Sequence, residues 1–164
     1  MSVHAIVRTL AAVALVLTTA SVSYAQQMAT PYGAPITTDA AKKIAAAALA
    51  EARKNNWRMA AAIVDTAGEL VYFERVDGTQ LASNDVAIDK ARSSVRYKRP
   101  TKAFQDAIAK GGIEIRYLGL RGVVPAEGGV PIVMNDTIVG AIGVSGGTGA
   151  QDEQVAEAGV KTLN

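Results

Sequence analysis

Apolar positions recur along this chain with changing periods, and each period predicts an element. Leu10 to Leu17 is one unbroken apolar run. Residues 26–35 show no period and include Pro31 and Pro35, so they read as a flexible N-terminal arm or one that packs on a neighbour. Helical spacing begins after Ile36-Thr37-Thr38-Asp39, where a hydroxyl or Asp39 can cap free amides. Ala40 to Arg53 are nearly all helix formers, and Ile44, Ala47, Ala48 and Leu49 form the apolar stripe. So many alanines make a thin helix that can approach a sheet closely.

Two runs of strand length follow, Met59–Asp65 and Leu70–Arg75, joined by Thr66-Ala67-Gly68, and predict a hairpin. Ser83-Asn84-Asp85 is a cap signal for a second helix reaching about Lys98, with Val86, Ala87, Ala91 and Val95 near helical spacing. Pro100 interrupts, and Thr101 can cap a shorter helix through Ala109 that Gly111-Gly112 closes. Ile113–Leu118 reads as a strand or a short loop element. Val130–Met134 and Thr137–Val144 are two strands around the turn pair Asn135-Asp136. A last helix is expected from about Ala150 to Leu163. Hairpins rather than crossovers predict an α+β fold, one mostly antiparallel sheet with helices packed on it.

The apolar run near the start changes the picture of the whole chain. With Arg8 before it and Ser23-Tyr24-Ala25 after it, residues 1–25 have the layout of a signal peptide, and the run is too short to span a bilayer. An exported protein, periplasmic or secreted, is therefore expected, with residues 36–164 as its single domain. The chain holds 17 Lys and Arg against 15 Asp and Glu, and losing residues 1–25 removes only Arg8, leaving a net charge of +1. Such a balance argues against electrostatic binding of nucleic acid. There is no cysteine, and the one histidine, His4, lies in the signal segment. A Ser-His-Asp triad, a Cys nucleophile, a thiolate or imidazole metal site and a histidine haem ligand are all excluded beyond residue 25. No metal site is expected, and classical side-chain catalysis is disfavoured.

Several stretches together resemble the GlcG/HbpS-like family. They are Ala61–Leu70, Asp89-Lys90-Ala91-Arg92 with Pro100-Thr101, Glu127-Gly128-Gly129-Val130-Pro131-Ile132, Gly140–Gly147 and Gln151–Gly159. The resemblance spans residues 36–164. It implies a profilin-like or PAS-like α-β-α domain, often a homo-oligomer, with haem or corrinoid binding in some relatives. One such relative is an exported haem-binding, redox-sensing protein; another is the C-terminal domain of a corrinoid adenosyltransferase. It also implies that Thr101 stands at a hydroxyl position involved in haem contact. The ordinary role of Thr101 is an N-cap.

Against that background the candidate residues each have two readings. Gly128, Gly129, Gly143, Gly146 and Gly147 can present bare amides to a ligand carboxylate or serve turns and close packing; Gly140–Gly147 lacks nucleotide-loop spacing. Arg92 and Arg96 share a helix face and, with Arg99, can hold the propionates of a haem or a small acid, or form a solvated surface. Gln151 and Asp152 can face a pocket beside Ser145, or simply offset the dipole of the last helix with Glu153. Tyr32, Tyr72, Tyr97, Tyr117, Met59 and Met134 are the conceivable haem-iron ligands. Glu127 is the weak candidate for a catalytic base, Glu114 another. The expected function is an exported binding protein for haem or a related tetrapyrrole or small ligand. The alternatives are an enzyme or accessory protein for a small organic acid, with Arg92 or Arg99 as clamp, and a structural oligomer.

Overall fold

Thr37 starts the first helix as expected: its Oγ1 accepts from the Ala40 amide at 3.3 Å. The computed structural model describes residues 30–163. The expected signal segment 1–25 and residues 26–29 of the expected arm lie outside the described residues. Helix α1 is Thr38–Lys54, with Asp39 in its first turn and Arg53 and Lys54 in its last, signs that suit the helix dipole. Its buried stripe is Ala41, Ile44, Ala45, Ala48, Leu49 and Ala52. Strands β1 (Ala60–Asp65) and β2 (Leu70–Arg75) form the first hairpin. Asp65 Oδ1 ties its turn by accepting from the amides of Ala67 and Glu69 at 2.8 and 2.9 Å.

Helix α2 runs Ala82–Tyr97 and α3 runs Lys102–Ala109. Neither starts on the side-chain cap expected of it. Ser83, Asn84 and Asp85 fall inside the first turn of α2, whose cap position is Leu81, with no side-chain cap bond. Ser83 is buried instead, within 3.3 Å of Ser145 Oγ. Gly112–Gly119, expected as a strand or loop, winds as a 3-10 segment with no buried residue. Strands β3 (Gly129–Met134) and β4 (Thr137–Ser145) flank Asn135 and Asp136, both at positive φ, as a tight two-residue hairpin requires. Helix α4 is Gly149–Val160, opened by a capping box between Thr148 and Gln151.

The sheet order is β2-β1-β4-β3, antiparallel throughout, so the α+β class expected from the hairpins holds. Ala61 and Ile63 of β1, with Ile142 and Val144 of β4, join the core under α1 and α4. Ala60, Ala62 and Val64 turn the other way, to Ala87, Ala91 and Val95 of α2. Three layers result, and β1 is buried on both faces, which is why it reads as a continuous apolar run. Residues 31–36 lie along β4 where β1 has ended. The amides of Gly33 and Ile36 donate to the carbonyls of Ile138 and Val139, each at 2.9 Å, and the Ile138 amide donates to Pro31 at 2.8 Å.

Close approach on the α2 face depends on a glycine in the middle of β4. A Cβ at Gly143 would overlap the Ala87 carbonyl and sit 2.5 Å from the Ala91 amide. Helix backbone cannot move aside as a flexible side chain would. Gly143→Ala is therefore expected to destabilise the fold by about 1–3 kcal/mol, the usual penalty of an overpacked core, measured by urea unfolding. An unchanged midpoint would mean that α2 is free to lift from the sheet.

Candidate functional site

The C-terminal end of β4, the start of β3 and the first turn of α4 meet over α2 at one buried charge pair. Lys90 lies on the sheet-facing side of α2 and is sealed off; its side chain is 3% exposed and that of Asp152 is 4%. Lys90 Nζ donates to Asp152 Oδ2 at 2.7 Å and to the Val144 carbonyl at 3.0 Å. Asp152 Oδ1 accepts from the Gly147 amide at 2.9 Å. Burial pushes the Asp152 carboxyl above its ordinary value, against the downward pull of Lys90 and the Gly147 and Gly146 amides.

Gly128 and Gly129 are built into the same junction. Gly128 has φ +112, and a Cβ there would stand 2.7 Å from Asp152 Cβ and 3.1 Å from Lys90 Nζ. Its carbonyl accepts from Val144 at 2.8 Å and its amide donates to Glu153 Oε2 at 2.6 Å. Thr101 and Gly129 are joined twice, amide to carbonyl and amide to Thr101 Oγ1, each at 2.9 Å. The amides of Gly128, Gly129 and Gly147, read from the sequence as bare donors or as packing glycines, are thus satisfied within the fold. Thr101 makes no side-chain cap bond to α3; its buried hydroxyl holds β3 instead.

The structure gathers Thr101, Gly128, Gly129 and Asp152 around Lys90 and disperses the remaining candidates. Ser145 is buried against Ser83. Gln151 closes the capping box of α4. Arg92 and Arg96 face the β1–β2 turn: Arg92 Nε donates to the Gly68 carbonyl at 3.1 Å, and the Arg96 guanidinium lies beside Gly68 and Gly122. Glu127 Oε1 is 2.8 Å from Lys102 Nζ, and that contact, with Asp106, raises the Lys102 ammonium well above its ordinary value. Glu114 lies 3.9 Å from Arg116.

Aromatic side chains mark a second region. Tyr97 and Tyr117 both pack edge-on to Phe104, with ring centroids at 5.3 and 5.4 Å. Arg99 lies over Phe104 at 5.5 Å and Arg116 over Tyr117 at 5.6 Å. Beside them the 3-10 segment exposes Ile113 (70%), Ile115 (52%) and Leu118 (61%), with Leu120 just beyond. Of the four tyrosines singled out, Tyr32 donates to the Val95 carbonyl, Tyr72 to Glu74 and Tyr97 to the Arg121 carbonyl. Among the described residues the Tyr117 hydroxyl has no such partner. Met59 is wholly buried in the core, and Met134 sits on the β3–β4 hairpin.

Sequence reasoning missed Lys90 as a site residue. The signal was there: Lys90 falls in the sheet-facing stripe with Ala87, Ala91 and Ser94. A cation in such a stripe needs a buried partner, and sequence spacing does not say that the partner is Asp152.

A single antiparallel sheet between helical layers, tied by a buried Lys–Asp pair at a glycine-rich junction, defines an α+β class with many relatives. The chain belongs to the family described as haem degrading protein HbpS-like, whose model matches residues 36–161. It is 34% identical over 134 residues to a 15.0 kDa protein from the dhaT–dhaS intergenic region of Citrobacter freundii, covering 80% of this chain and 91% of that protein. It is 36% identical over 105 residues to the protein GlcG of Escherichia coli K12, covering 64% and 77%. Among solved structures, a double mutant of HbpS from Streptomyces reticuli aligns with a TM-score of 0.73 at 32% identity, covering 80% of this chain and 89% of that one.

Two outcomes test this electrostatic reading. Asp152→Asn leaves an unpaired buried ammonium and is expected to cost about 3–5 kcal/mol in urea unfolding, whereas replacing both partners with apolar residues recovers most of it. Glu153, raised by burial and then by Glu157 and Glu127 against the pull of Gly128 and Lys102, binds its proton more tightly folded than unfolded. It therefore lowers stability as pH rises from the ordinary carboxylate range through its folded value. Glu153→Gln should flatten that slope in unfolding curves taken across the acid range; an unaltered slope assigns it to other groups.

Proposed function

We propose that this protein is an exported binder of haem or a related tetrapyrrole, acting as a homo-oligomer. The ligand lies on the aromatic face around Tyr117. The carrying observation is the Tyr117 hydroxyl: among the described residues it has no hydrogen-bond partner, its ring carries Arg116 and packs on Phe104, which carries Arg99, and exposed apolar side chains flank it in sequence. A tyrosine oxygen is an accepted ligand of haem iron, and the chain beyond residue 25 has no histidine to compete for that role. Ile113, Leu118 and Leu120 supply apolar surface for the macrocycle. Arg99 and Arg116 would take the propionates, since a guanidinium pairs with a carboxylate through two parallel hydrogen bonds. Bound haem would supply iron chemistry; the protein's share is to hold it and to screen one face from water. Membership of the HbpS-like family supports this reading, and the signal-like layout of residues 1–25 supports export.

Haemin titration followed at the Soret band tests it. A saturable, shifted band is expected, altered in shape by Tyr117→Phe and weakened about tenfold by Arg99→Ala, a loss typical of one charge-assisted contact. Tyr97→Phe, whose hydroxyl is held by the Arg121 carbonyl, should leave the band shape unchanged. A spectrum identical to that of free haemin would defeat the proposal.

A further inference from the structure

At the opposite end of α1 from its cap, three loops meet: the α1–β1 connection, the β2–α2 connection and the start of α4. Two hollows adjoin there, of about 270 and 520 Å³, and both are lined by Asn56, Trp57 and Arg58. The larger adds Gln80 and Gln151, and the smaller adds Asp77. Its volume is in the range of small-molecule sites. Trp57 is half-buried, packed against the main core cluster, so its indole is a fixed wall between the two hollows.

The polar groups around that wall are unengaged. Among the described residues, the side chains of Asn56, Trp57, Arg58 and Gln80 have no hydrogen-bond or ion-pair partner. Gln151 uses its Oε1 to cap the Thr148 amide at 2.9 Å, which leaves its NH₂ group to point elsewhere. Gly78, at φ +79, makes room for the guanidinium; a Cβ there would come within 2.9 Å of Arg58 Nη1.

We propose that this groove binds a hydroxylated monocarboxylic acid, a sugar acid of the hexuronate kind. Arg58 takes the carboxylate through its two-pronged donor face. The carboxamides of Asn56 and Gln80 offer the paired donors and acceptors that neighbouring hydroxyls need, and Gln151 adds the donors of its NH₂ group. Trp57 gives the C–H face of the ring an apolar wall. A phosphate ester fits poorly. The groove brings one unpaired cation, and the nearby amides of Gly147 and Thr148 are occupied by Asp152 and Gln151. Asp77 in the smaller hollow also disfavours a second negative group.

Trp57 is the only tryptophan of the chain, so its fluorescence reports on this groove alone. Glucuronate, glucose and inorganic phosphate are titrated into the purified protein. The expected result is a saturable change with glucuronate, at least about tenfold weaker with glucose or in Arg58→Ala, and no saturation with phosphate. Gln80→Ala, an exposed position, should weaken glucuronate as well while leaving the unfolding midpoint in place. No saturable response to glucuronate up to about 10 mM, an equal response in Arg58→Ala, or saturation by phosphate at comparable concentration overturns the proposal. Arg58→Ala should bind haemin as the unaltered protein does, so failure here and failure of the haem reading are separate results.

Discussion

Lys90 enters the fold as a cation on the sheet-facing side of α2, and the geometry leaves its charge one destination. Taking an ammonium and a carboxylate out of water costs several kcal/mol per ion, so the pair persists only where every remaining donor and acceptor is met. That condition organises the whole C-terminal half. Val144, near the end of β4, must turn its carbonyl toward Lys90, Gly128 must approach without a side chain, and α4 must start where Asp152 can reach both Lys90 and the Gly147 amide. Helix α2, both strands of the second hairpin and α4 are thereby locked into one register.

Small residues complete what the charge pair begins. Ala87 and Ala91 on α2 and Gly143 on β4 bring helix backbone nearly onto strand backbone, and on the other face the alanine stripe of α1 meets α4 at Gly159, where a Cβ would stand 2.8 Å from the Ile44 carbonyl. The glycine amides of the junction are employed in holding Glu153, Thr101 and Asp152, so recognition moves outward to side chains that the packing positions without using. The Tyr117 face and the Trp57–Arg58 groove are both of that type: an aromatic ring anchored by neighbours, with unengaged polar atoms beside it.

The two regions differ in chemistry because their supports differ. Tyr117 sits on a 3-10 segment that buries nothing of its own and so exposes Ile113, Ile115 and Leu118, a surface suited to a flat apolar partner with peripheral negative charge. Trp57 sits between α1 and the fully buried β1, where connecting loops bring carboxamides and one cation, a surface suited to a polar solute.

Local information in the chain determined the order of helices and hairpins, a capped start of α1 within Thr37–Asp39, the turn at Asn135-Asp136 and the family to which the domain belongs. These depend on residues within a few positions of one another, where period, capping and turn chemistry act. Local signals put Thr101 correctly at the head of α3 but misassigned its hydroxyl, and misplaced Ser83 as a cap, because each hydroxyl found a long-range partner, Gly129 and Ser145, that no spacing announces. Likewise only the tertiary structure decided that Lys90 meets Asp152, that Arg92 and Arg96 turn toward Gly68, and that Arg58 and Gln151 share a groove. The reason is physical: a polar side chain has no period of its own, and which donor meets which acceptor is settled by the close approach of backbones far apart in sequence.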